Sequence, residues 1–245
     1  MAARPPNMKL YSYCMVEELD SVDTQIRGIS DAPVRLLKVD ELGVLVSDSP
    51  SDTVPVTRDN AVAHAAVIRS VLDRTTPLPF RFGTLVTEQQ LTSYISSRKP
   101  ALQTNFAAVR NCVEMSVKII WQLPMAQAPD TQPLTQGAGT TFLAQKRREL
   151  AGDERRSAQA EEIATWLKET VTGLTRDERV TVRPAQKLVL SAAHLVERPA
   201  VPEYREKLAT ARQARPELHF LLSGPWPPYS FANIELEFKT QFGVS

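Results

Sequence analysis

Residues 140–174 read TTFLAQKRRELAGDERRSAQAEEIATWLKETVTGL, a stretch without proline that is rich in strong helix formers. It predicts one helix of about 50 Å, at about 1.5 Å per residue. No large apolar residue lies between Leu150 and Ile163, so the middle of this helix cannot pack in a core. We therefore expect its ends to contact the protein and its charged middle to face solvent. Gly152–Asp153 leaves an alternative, in which one helix ends, another is capped, and the two form a helical hairpin.

Short apolar patterns flank this helix on both sides. Before it, Met115–Trp121 alternates with the period of a strand. After it come two apolar runs, a helix with Pro202 in its first turn, and a last apolar run, at residues 180–183, 187–196, 202–214 and 218–222. The order strand, helix, strand, strand, helix, strand is that of ferredoxin-like domains. The sequence therefore predicts a ferredoxin-like C-terminal domain over residues 113–245, with a C-terminal tail that is free to return to the N-terminal domain.

The preceding residues, 1–112, predict a separate α+β domain. Lys9–Val16 alternates β-favouring side chains as a strand does. Val34–Val39 and Leu42–Val46 are two further apolar runs, joined by Asp40-Glu41, and are typical of a hairpin. The fold class predicted for the whole chain is thus α+β with two domains.

Two threonines predict helix starts within this domain. Thr57 is a candidate cap for a helix that ends near Arg74. Thr87 begins a capping-box pattern for a helix that should stop before Pro100, with a further helix behind it. The apolar stripe predicted for the first helix consists of Ala61, Ala65, Ile68 and Leu72.

Composition excludes several classes of protein. The 245 residues include 29 Lys plus Arg against 28 Asp plus Glu, a net charge of +1, so no basic excess favours nucleic acid. Cys14 and Cys112 have no CxxC spacing and are too few for a disulfide scaffold. No run of 18 apolar residues occurs, and the N-terminus lacks the apolar core of a signal peptide. We expect a cytoplasmic protein that binds neither nucleic acid nor a lipid membrane.

Motifs for catalysis or cofactor binding are missing from the sequence. The three histidines, His64, His194 and His219, form no HExxH or His-Cys cluster. There is no GxSxG elbow, and Gly137-Ala138-Gly139 lacks the rest of a nucleotide-binding loop. An enzyme that uses Arg81 and a histidine on an anionic substrate therefore has little support. We predict no catalytic, cofactor-binding or metal-binding residues.

One unusual motif is Pro79-Phe80-Arg81-Phe82-Gly83-Thr84. An arginine between two phenylalanines in an extended run either lies opposite the rings or stacks on them, and Gly83 permits a positive φ. As a structural element, Arg81 would pair with a carboxylate such as Glu114. As a functional element, Arg81 would hold an anion. We predict that Arg81, Phe82 and Gly83 define the fold.

A second unusual motif is Gly224-Pro225-Trp226-Pro227-Pro228-Tyr229-Ser230-Phe231. Its three prolines fix φ, so the aromatic rings are presented with little entropy to lose on packing or binding. The motif is suited either to hold a partner or to lock the two domains together, before a final strand with Ile234, Leu236 and Phe238. The residues predicted to define the fold here are Gly224, Trp226, Tyr229 and Phe231.

The charged part of the long helix is the candidate partner-binding surface. Its arginines are Arg147, Arg148, Arg155 and Arg156. Together with nearby glutamates they form either a docking surface or a solvated face with i, i+4 pairs.

The two unusual motifs, in this order, resemble those of the GvpF/GvpL family of gas vesicle proteins. Members of the family carry an LPxRFGT-like motif in the N-terminal half and GPWPPYSF near the C-terminus. In this chain the motifs are Leu78–Thr84 and Gly224–Phe231. The likeness spans nearly the whole chain, since it also covers the strand with Tyr11 and Tyr13, the Glu114–Trp121 segment and Ala193–Val196.

The resemblance implies a two-domain α+β protein that is required for making gas vesicles and has no enzymatic activity. It implies as partners the small hydrophobic shell protein GvpA and other accessory Gvp proteins. We expect an assembly protein, associated with the gas vesicle, that binds GvpA and prevents its premature aggregation. A minor structural component of the vesicle wall is the alternative.

Overall fold

The structure is a computed structural model, and it describes residues 8–121, 138–182, 188–232 and 234, with the side chains of 138–153 and 188 outside this description. By its internal contacts the chain divides into two compact units, Met1–Glu114 with Pro225–Ser245, and Met115–Gly224. Each unit contributes a sheet to a mixed α/β fold with two antiparallel sheets. No described helix is long and apolar enough to cross a membrane.

The first unit is built on a five-stranded antiparallel sheet. Its strands are β1 (Lys9–Glu17), β2 (Arg35–Val39), β3 (Leu42–Ser49), β4 (Leu78–Pro79) and β5 (Leu85–Val86). The strand order is β2-β3-β1-β4, and β5 also pairs with β1. The predicted hairpin is present as β2 and β3, and Asp40, one of the two residues between them, has a φ of 52°. A β-bulge between Ser12 and Cys14 interrupts the alternation of β1, so that Cys14 and Val16 enter the same buried cluster as Tyr11 and Tyr13.

Helix α1 (Arg58–Arg69) begins at Thr57, whose side chain accepts the backbone N–H of Asn60 at 3.2 Å, as predicted. The predicted stripe is right at Ile68 and Leu72, which are buried, and wrong at Ala61 and Ala65; the predicted end near Arg74 is also wrong, because the helix ends at Arg69. Ala61 and Ala65 are exposed, whereas the buried side chains are His64, Val67 and Ile68. Alanine has little surface to bury. The buried face of α1 is therefore the one that carries the larger side chains and those with polar partners in the core.

Helix α2 (Glu88–Val109) has the predicted capping box, in which Thr87 and Gln90 bond reciprocally. The prediction of two helices separated at Pro100 is wrong, because one helix of 22 residues runs through this proline. Buried residues on both sides of Pro100 share one surface of the helix: Leu91, Tyr94, Ile95, Leu102, Phe106 and Val109. Packing of that continuous stripe offsets the roughly 3 kcal/mol that an internal proline costs.

The second unit contains the element order that the sequence predicts. Its elements are β6 (Cys112–Trp121), α3 (Ala138–Thr170), β7 (Thr175–Val182), β8 (Leu188–Glu197), α4 (Val201–Ala214) and β9 (Leu218–Trp226). The order of the described strands in the sheet is β7-β8-β6-β9, with β7 and β9 at its two ends. The first residues of β6, Cys112–Glu114, and the last of β9, Pro225–Trp226, belong to the first unit.

Helix α3 is continuous through Gly152, so the helical hairpin is not formed. Side chains 154–159 are all exposed, whereas Ala160, Ile163 and Leu167 are buried. The change from exposed to buried confirms that the helix packs through its C-terminal part.

Strand β9 continues past Leu222 to Trp226, so the first residues of the second motif are strand and not turn. Ile234 is buried and lies in no regular element. Pro124, Pro129 and Pro133 predict a polar loop of about ten residues before the long helix, and this loop lies outside the described residues. The rest of the predicted final strand, with Leu236 and Phe238, also lies outside them.

Candidate functional site

The first motif forms a turn between two short strands that both pair with β1. The backbone N–H of Thr84 donates to the carbonyl of Arg81 at 3.2 Å, and the Thr84 hydroxyl donates to the same oxygen at 2.7 Å. Gly83 occupies the third position of this β-turn with a φ of 83°, a conformation that favours glycine. The prediction of a positive φ at Gly83 is thus confirmed.

Buried side chains from β1 and α1 hold this turn in place. The N–H of Gly83 donates to the hydroxyl of Tyr11 at 3.1 Å, and that hydroxyl lies 2.9 Å from Nδ1 of His64. The Phe82 ring meets the rings of Tyr11 and His64 edge-on, with centroids 6.2 and 5.7 Å apart. The turn is therefore fastened to two distant segments of the first unit.

Burial keeps both polar members of this cluster neutral. Desolvation lowers the pKa of His64 to about 4, although a hydrogen bond with the backbone of Phe80 opposes the shift. Desolvation also raises the pKa of Tyr11, against the N–H of Gly83, which favours the anion. A neutral tyrosine and a neutral imidazole, enclosed on all sides, make a structural pair and not an acid–base pair that meets a substrate.

A neighbouring cluster centres on Tyr13, which sequence patterns did not single out. Its hydroxyl lies 2.8 Å from Oγ of Ser47 and accepts the N–H of Ile29 at 2.9 Å. A Cβ on Gly28 would overlap the Tyr13 hydroxyl, so only glycine fits there. In the sequence, a tyrosine in a strand and a glycine in a chain with few glycines indicate that the backbone comes close to another group. They do not indicate that this group is the Tyr13 hydroxyl.

Arg81 lies at the surface of the turn, and its predicted ion pair with Glu114 is not formed. Among the described residues, the carboxylate of Glu114 bonds with Ser230, whose N–H and hydroxyl donate to its two oxygens at 2.7 and 2.9 Å. No described carboxylate lies within ion-pair distance of Arg81. The physical reason is competition: a backbone N–H and a hydroxyl satisfy the buried carboxylate without burying a second charge.

The second motif packs on residues of its own unit. The guanidinium of Arg69, at the end of α1, lies 5.2 Å from the centroid of the Trp226 ring. Turns follow, in which the N–H of Tyr229 donates to Pro227 at 2.7 Å and that of Ala232 donates to Pro228 at 2.8 Å. Pro227 and Pro228 are buried and Tyr229 is 43% exposed.

The ring environment of Tyr229 raises the pKa of its hydroxyl to about 12. Partial burial is the main cause, and the nearby Cys14 and Glu114 add repulsion against the phenolate.

The remaining fold-defining candidates of this motif are Gly224 and Phe231. Gly224 has a φ of 123°, and the backbone N–H of Phe231 donates to the carbonyl of Pro228 at 3.1 Å. From Pro225 onward the motif is thus an ordered surface of the first unit, and its role in defining the fold stays a prediction.

The second unit contains its own buried histidine and tyrosine. Nδ1 of His194, on β8, lies 2.6 Å from the hydroxyl of Tyr204, on α4. Desolvation lowers the pKa of His194 to about 4 and raises that of Tyr204, while the charge of Glu178 acts on His194 in the opposite direction. Nε2 of His194 has no hydrogen-bond partner within the described part of the chain.

The four arginines predicted for partner binding lie on α3. Arg155 and Arg156 are exposed, in the part of the helix that precedes its packed end. The side chains of Arg147 and Arg148 lie outside the described residues. The structure therefore brings Arg155 and Arg156 to one exposed helical segment of the second unit.

Among the described residues, no three His, Cys, Asp or Glu side chains are arranged to hold a metal ion.

The fold and its contacts define a mixed α/β protein with two antiparallel sheets. Its two unusual motifs partly support the interior and partly lie exposed at the surface. The family model for the gas vesicle synthesis protein GvpL/GvpF matches residues 9–233. The chain belongs to this family, whose proteins take part in gas vesicle formation.

Individual relatives agree with this assignment. Gas vesicle protein L2 of Halobacterium salinarum is 30% identical over 91% of this chain and 90% of its own length. Gas vesicle protein L of a Streptomyces species is 27% identical over 93% and 94%. The crystal structure of GvpF from Anabaena sp. matches with a TM-score of 0.74 at 19% identity, over 94% of this chain and 98% of that one. The resemblance inferred from the two motifs is confirmed.

Proposed function

We propose that this protein binds the shell protein GvpA and prevents its premature aggregation while gas vesicles form. Membership in the family gives the process, since its proteins take part in gas vesicle formation. A subunit that polymerises into a gas-facing wall exposes apolar surface before assembly, and such surface aggregates unless a partner covers it. That task requires reversible binding and no bond chemistry.

The observation that carries the proposal is the exposed segment of α3. Side chains 154–159 contribute no packed face to the fold, although the same helix is anchored by Ala160, Ile163 and Leu167 a turn or two later. A rigid helix that presents charged side chains suits contacts that form quickly and dissociate readily. Arg155 and Arg156 are the residues that we assign to this contact.

We infer that the protein works in the cytoplasm, where shell subunits are made, without a cofactor and without catalysis. The two buried histidine–tyrosine pairs support the part of this inference that concerns catalysis. Each histidine is enclosed and has a pKa of about 4, so neither ring is offered to a substrate. Other accessory Gvp proteins are further candidate partners.

We also propose that the units correspond to domains, with residues 1–112 as an α+β domain and 113–245 as a ferredoxin-like domain whose tail returns to the first. The order βαββαβ and the sheet order β7-β8-β6-β9 support the ferredoxin-like part. The clustering of Pro225–Ser245 with Met1–Glu114 supports the returning tail.

Co-expression of the tagged chain with GvpA tests the binding function. We expect GvpA to be retained on the tagged chain and its soluble fraction to increase. The variant Arg155→Glu/Arg156→Glu should lose most of both effects. The matched control is Arg58→Glu/Lys207→Glu, which makes the same change in net charge at exposed sites on α1 and α4.

Equal behaviour of the two double variants would remove Arg155 and Arg156 from the contact. No retention of GvpA and no change in its solubility would contradict the proposed function. Tagged protein that stays in washed, purified vesicles in fixed proportion to the shell would instead favour the wall component.

A further inference from the structure

The two most exposed large apolar side chains among the described residues lie at helix α1. Val56, 69% exposed, comes just before the cap residue Thr57, and Val62, 59% exposed, lies in the helix itself. Ala65 and Ala66 are exposed one turn after Val62. The buried residues of α1 lie on its other side: His64, Val67 and Ile68. The outer face of this helix is therefore apolar along its middle and exposed.

Opposite charges lie at the two ends of this face. Asp59 is in the first turn of α1 and Arg69 is in the last, and both side chains are exposed. With Val62 and Ala66 they are spaced by three, four and three residues, which is the spacing of a coiled-coil seam. The guanidinium of Arg69 lies 5.2 Å from the centroid of the Trp226 ring, and no described residue forms an ion pair with Asp59 or Arg69.

We propose that two copies of this chain associate through this face, with their α1 helices antiparallel. Asp59 of each copy then faces Arg69 of the other copy, which gives two identical ion pairs. Val62 of each copy packs on Ala66 of the other, and the small alanine side chains let the two helices approach closely. The interface is self-complementary, as a twofold dimer requires.

The register of the two helices follows from positions along α1. In an antiparallel pair, residues at equal distances from the midpoint of the contact face each other. Asp59 and Arg69 each lie five residues from His64, and Val62 and Ala66 each lie two residues from it. A single register therefore aligns the charged pairs and the apolar pairs together.

The charges also select the antiparallel arrangement. A parallel pair would place Asp59 against Asp59 and Arg69 against Arg69, and like charges that face each other are destabilising. In the antiparallel pair every charge meets its opposite. Because one face carries both signs, a second copy of the chain supplies the whole of the complementary surface.

The association should be weak and reversible. The 12 residues of α1 extend about 18 Å, which offers far less area than the roughly 800 Å² per partner of a standard interface. Dimers should therefore form as the concentration rises and dissociate on dilution. The inference concerns the first unit and stands without the proposed function, whose contact is assigned to α3 in the second unit.

Sedimentation equilibrium of the full chain tests the proposal. The mean mass should rise with concentration from the 27.3 kDa of the monomer towards twice this value and not beyond it. Asp59→Arg and, separately, Arg69→Asp should each weaken association at least about tenfold, because each variant replaces two attractions by two repulsions. Val62→Lys should also weaken it, because it places a charge in the apolar middle of the contact.

A mixture of the two charge variants tests the antiparallel register. Labelled Asp59→Arg is titrated with unlabelled Arg69→Asp and followed by fluorescence-detected sedimentation. In the mixed dimer the new arginine faces the new aspartate, and the unchanged Arg69 faces the unchanged Asp59. Association should return to that of the parent, although each variant alone associates weakly.

Two matched controls lie on α4. Glu206→Arg and Lys207→Asp make the corresponding charge reversals at exposed sites of the second unit, and both should associate like the parent. Circular dichroism spectra and melting curves establish that each variant is folded. Arg69→Asp also removes the contact with Trp226, and its recovery in the mixture distinguishes a lost charge pair from a lost fold.

A parent chain that stays monomeric at every concentration would overturn the proposal, and masses beyond twice the monomer would overturn the twofold pair. Unchanged association of folded Asp59→Arg and Arg69→Asp would remove α1 from the contact. Weakened variants that fail to associate in the mixture would overturn the antiparallel register. GvpA takes no part in these measurements, so failure of GvpA to be retained would leave them unaffected.

Discussion

The carboxylate of Glu114 accepts two hydrogen bonds from Ser230, which lies 116 residues later in the chain. One comes from the backbone N–H at 2.7 Å and the other from the hydroxyl at 2.9 Å. Glu114 is 7% exposed, so this acid depends on donors from the protein. The contact therefore fastens the turn of the second motif to the first residues of β6, within the first unit.

Replacement of Glu114 by alanine should lower the free energy of unfolding by about 1.5–3 kcal/mol, the usual range for hydrogen bonds to a charged group. Ser230→Ala removes only the hydroxyl bond and should cost about 1 kcal/mol. Urea unfolding of both single variants and of the double variant measures the coupling. Since both substitutions remove the same hydroxyl bond, the double variant should be no less stable than Glu114→Ala. Fully additive losses would contradict the contact.

Two glycines of the first unit should respond differently to alanine. At Gly83 an added Cβ meets no atom within 4 Å, and only the φ of 83° is unfavourable, so Gly83→Ala should cost about 1 kcal/mol. At Gly28 the Cβ would displace the Tyr13 hydroxyl from Ser47 and Ile29, so Gly28→Ala should cost about 3 kcal/mol.

Thermal melts of the two variants check this difference. Gly83→Asn serves as the control, because asparagine adopts a positive φ more readily than alanine and should melt closer to the parent. Equal melting temperatures for Gly28→Ala and Gly83→Ala would contradict the packing described for Tyr13.

Elements whose limits depend on local chemistry could be predicted from the sequence. Thr57 and Thr87 cap helices as predicted, because each hydroxyl bonds a backbone N–H only three residues ahead. Helix α3 is continuous because helix formers fill it and no proline interrupts it. The order of elements in the second unit follows from the same local patterns.

Contacts that depend on distant residues could not be predicted. Pro100 is a helix breaker by local chemistry, yet packing on both sides of it keeps α2 intact. The bond between Gly83 and Tyr11 joins residues 72 positions apart, and Glu114 had no local sign that Ser230 would be its partner. The two motifs were found by composition alone, and their partners came only from the fold.

Two buried histidines should make stability decrease in mild acid. His64 and His194 each have a pKa of about 4 when folded, against 6.5 when unfolded. Above pH 7 both states hold neutral rings. As the pH falls through 6.5, the unfolded chain takes up protons that the native chain refuses until about pH 4, so stability is lost over this range. Between pH 7.5 and 5 each histidine should remove about 2 kcal/mol.

Urea unfolding at several pH values between 7.5 and 5 measures this dependence. His64→Gln and His194→Gln should each remove about half of the slope, because each takes away one group that only the unfolded chain protonates. His219→Gln is the matched control, since it makes the same substitution at an exposed site. A slope that survives the loss of both buried histidines would show that other groups cause it.

Arg81 and Phe82 are neighbours in the first motif but should differ in their effect on stability. The composition of the motif predicts a fold-defining role for Arg81, and Arg81→Ala tests it. Since the side chain is exposed and pairs with no described carboxylate, we now expect this variant to change the free energy of unfolding by less than about 0.5 kcal/mol, against that prediction. Phe82 is half-buried and packs edge-on against Tyr11 and His64, so Phe82→Ala should cost about 2 kcal/mol. Urea unfolding of the two variants decides the point. If Arg81→Ala were as unstable as Phe82→Ala, the guanidinium itself would hold the turn. If only Phe82→Ala is clearly destabilised, the conformation at Gly83 and the packing of Phe82 hold the turn, and Arg81 is available to bind an anion.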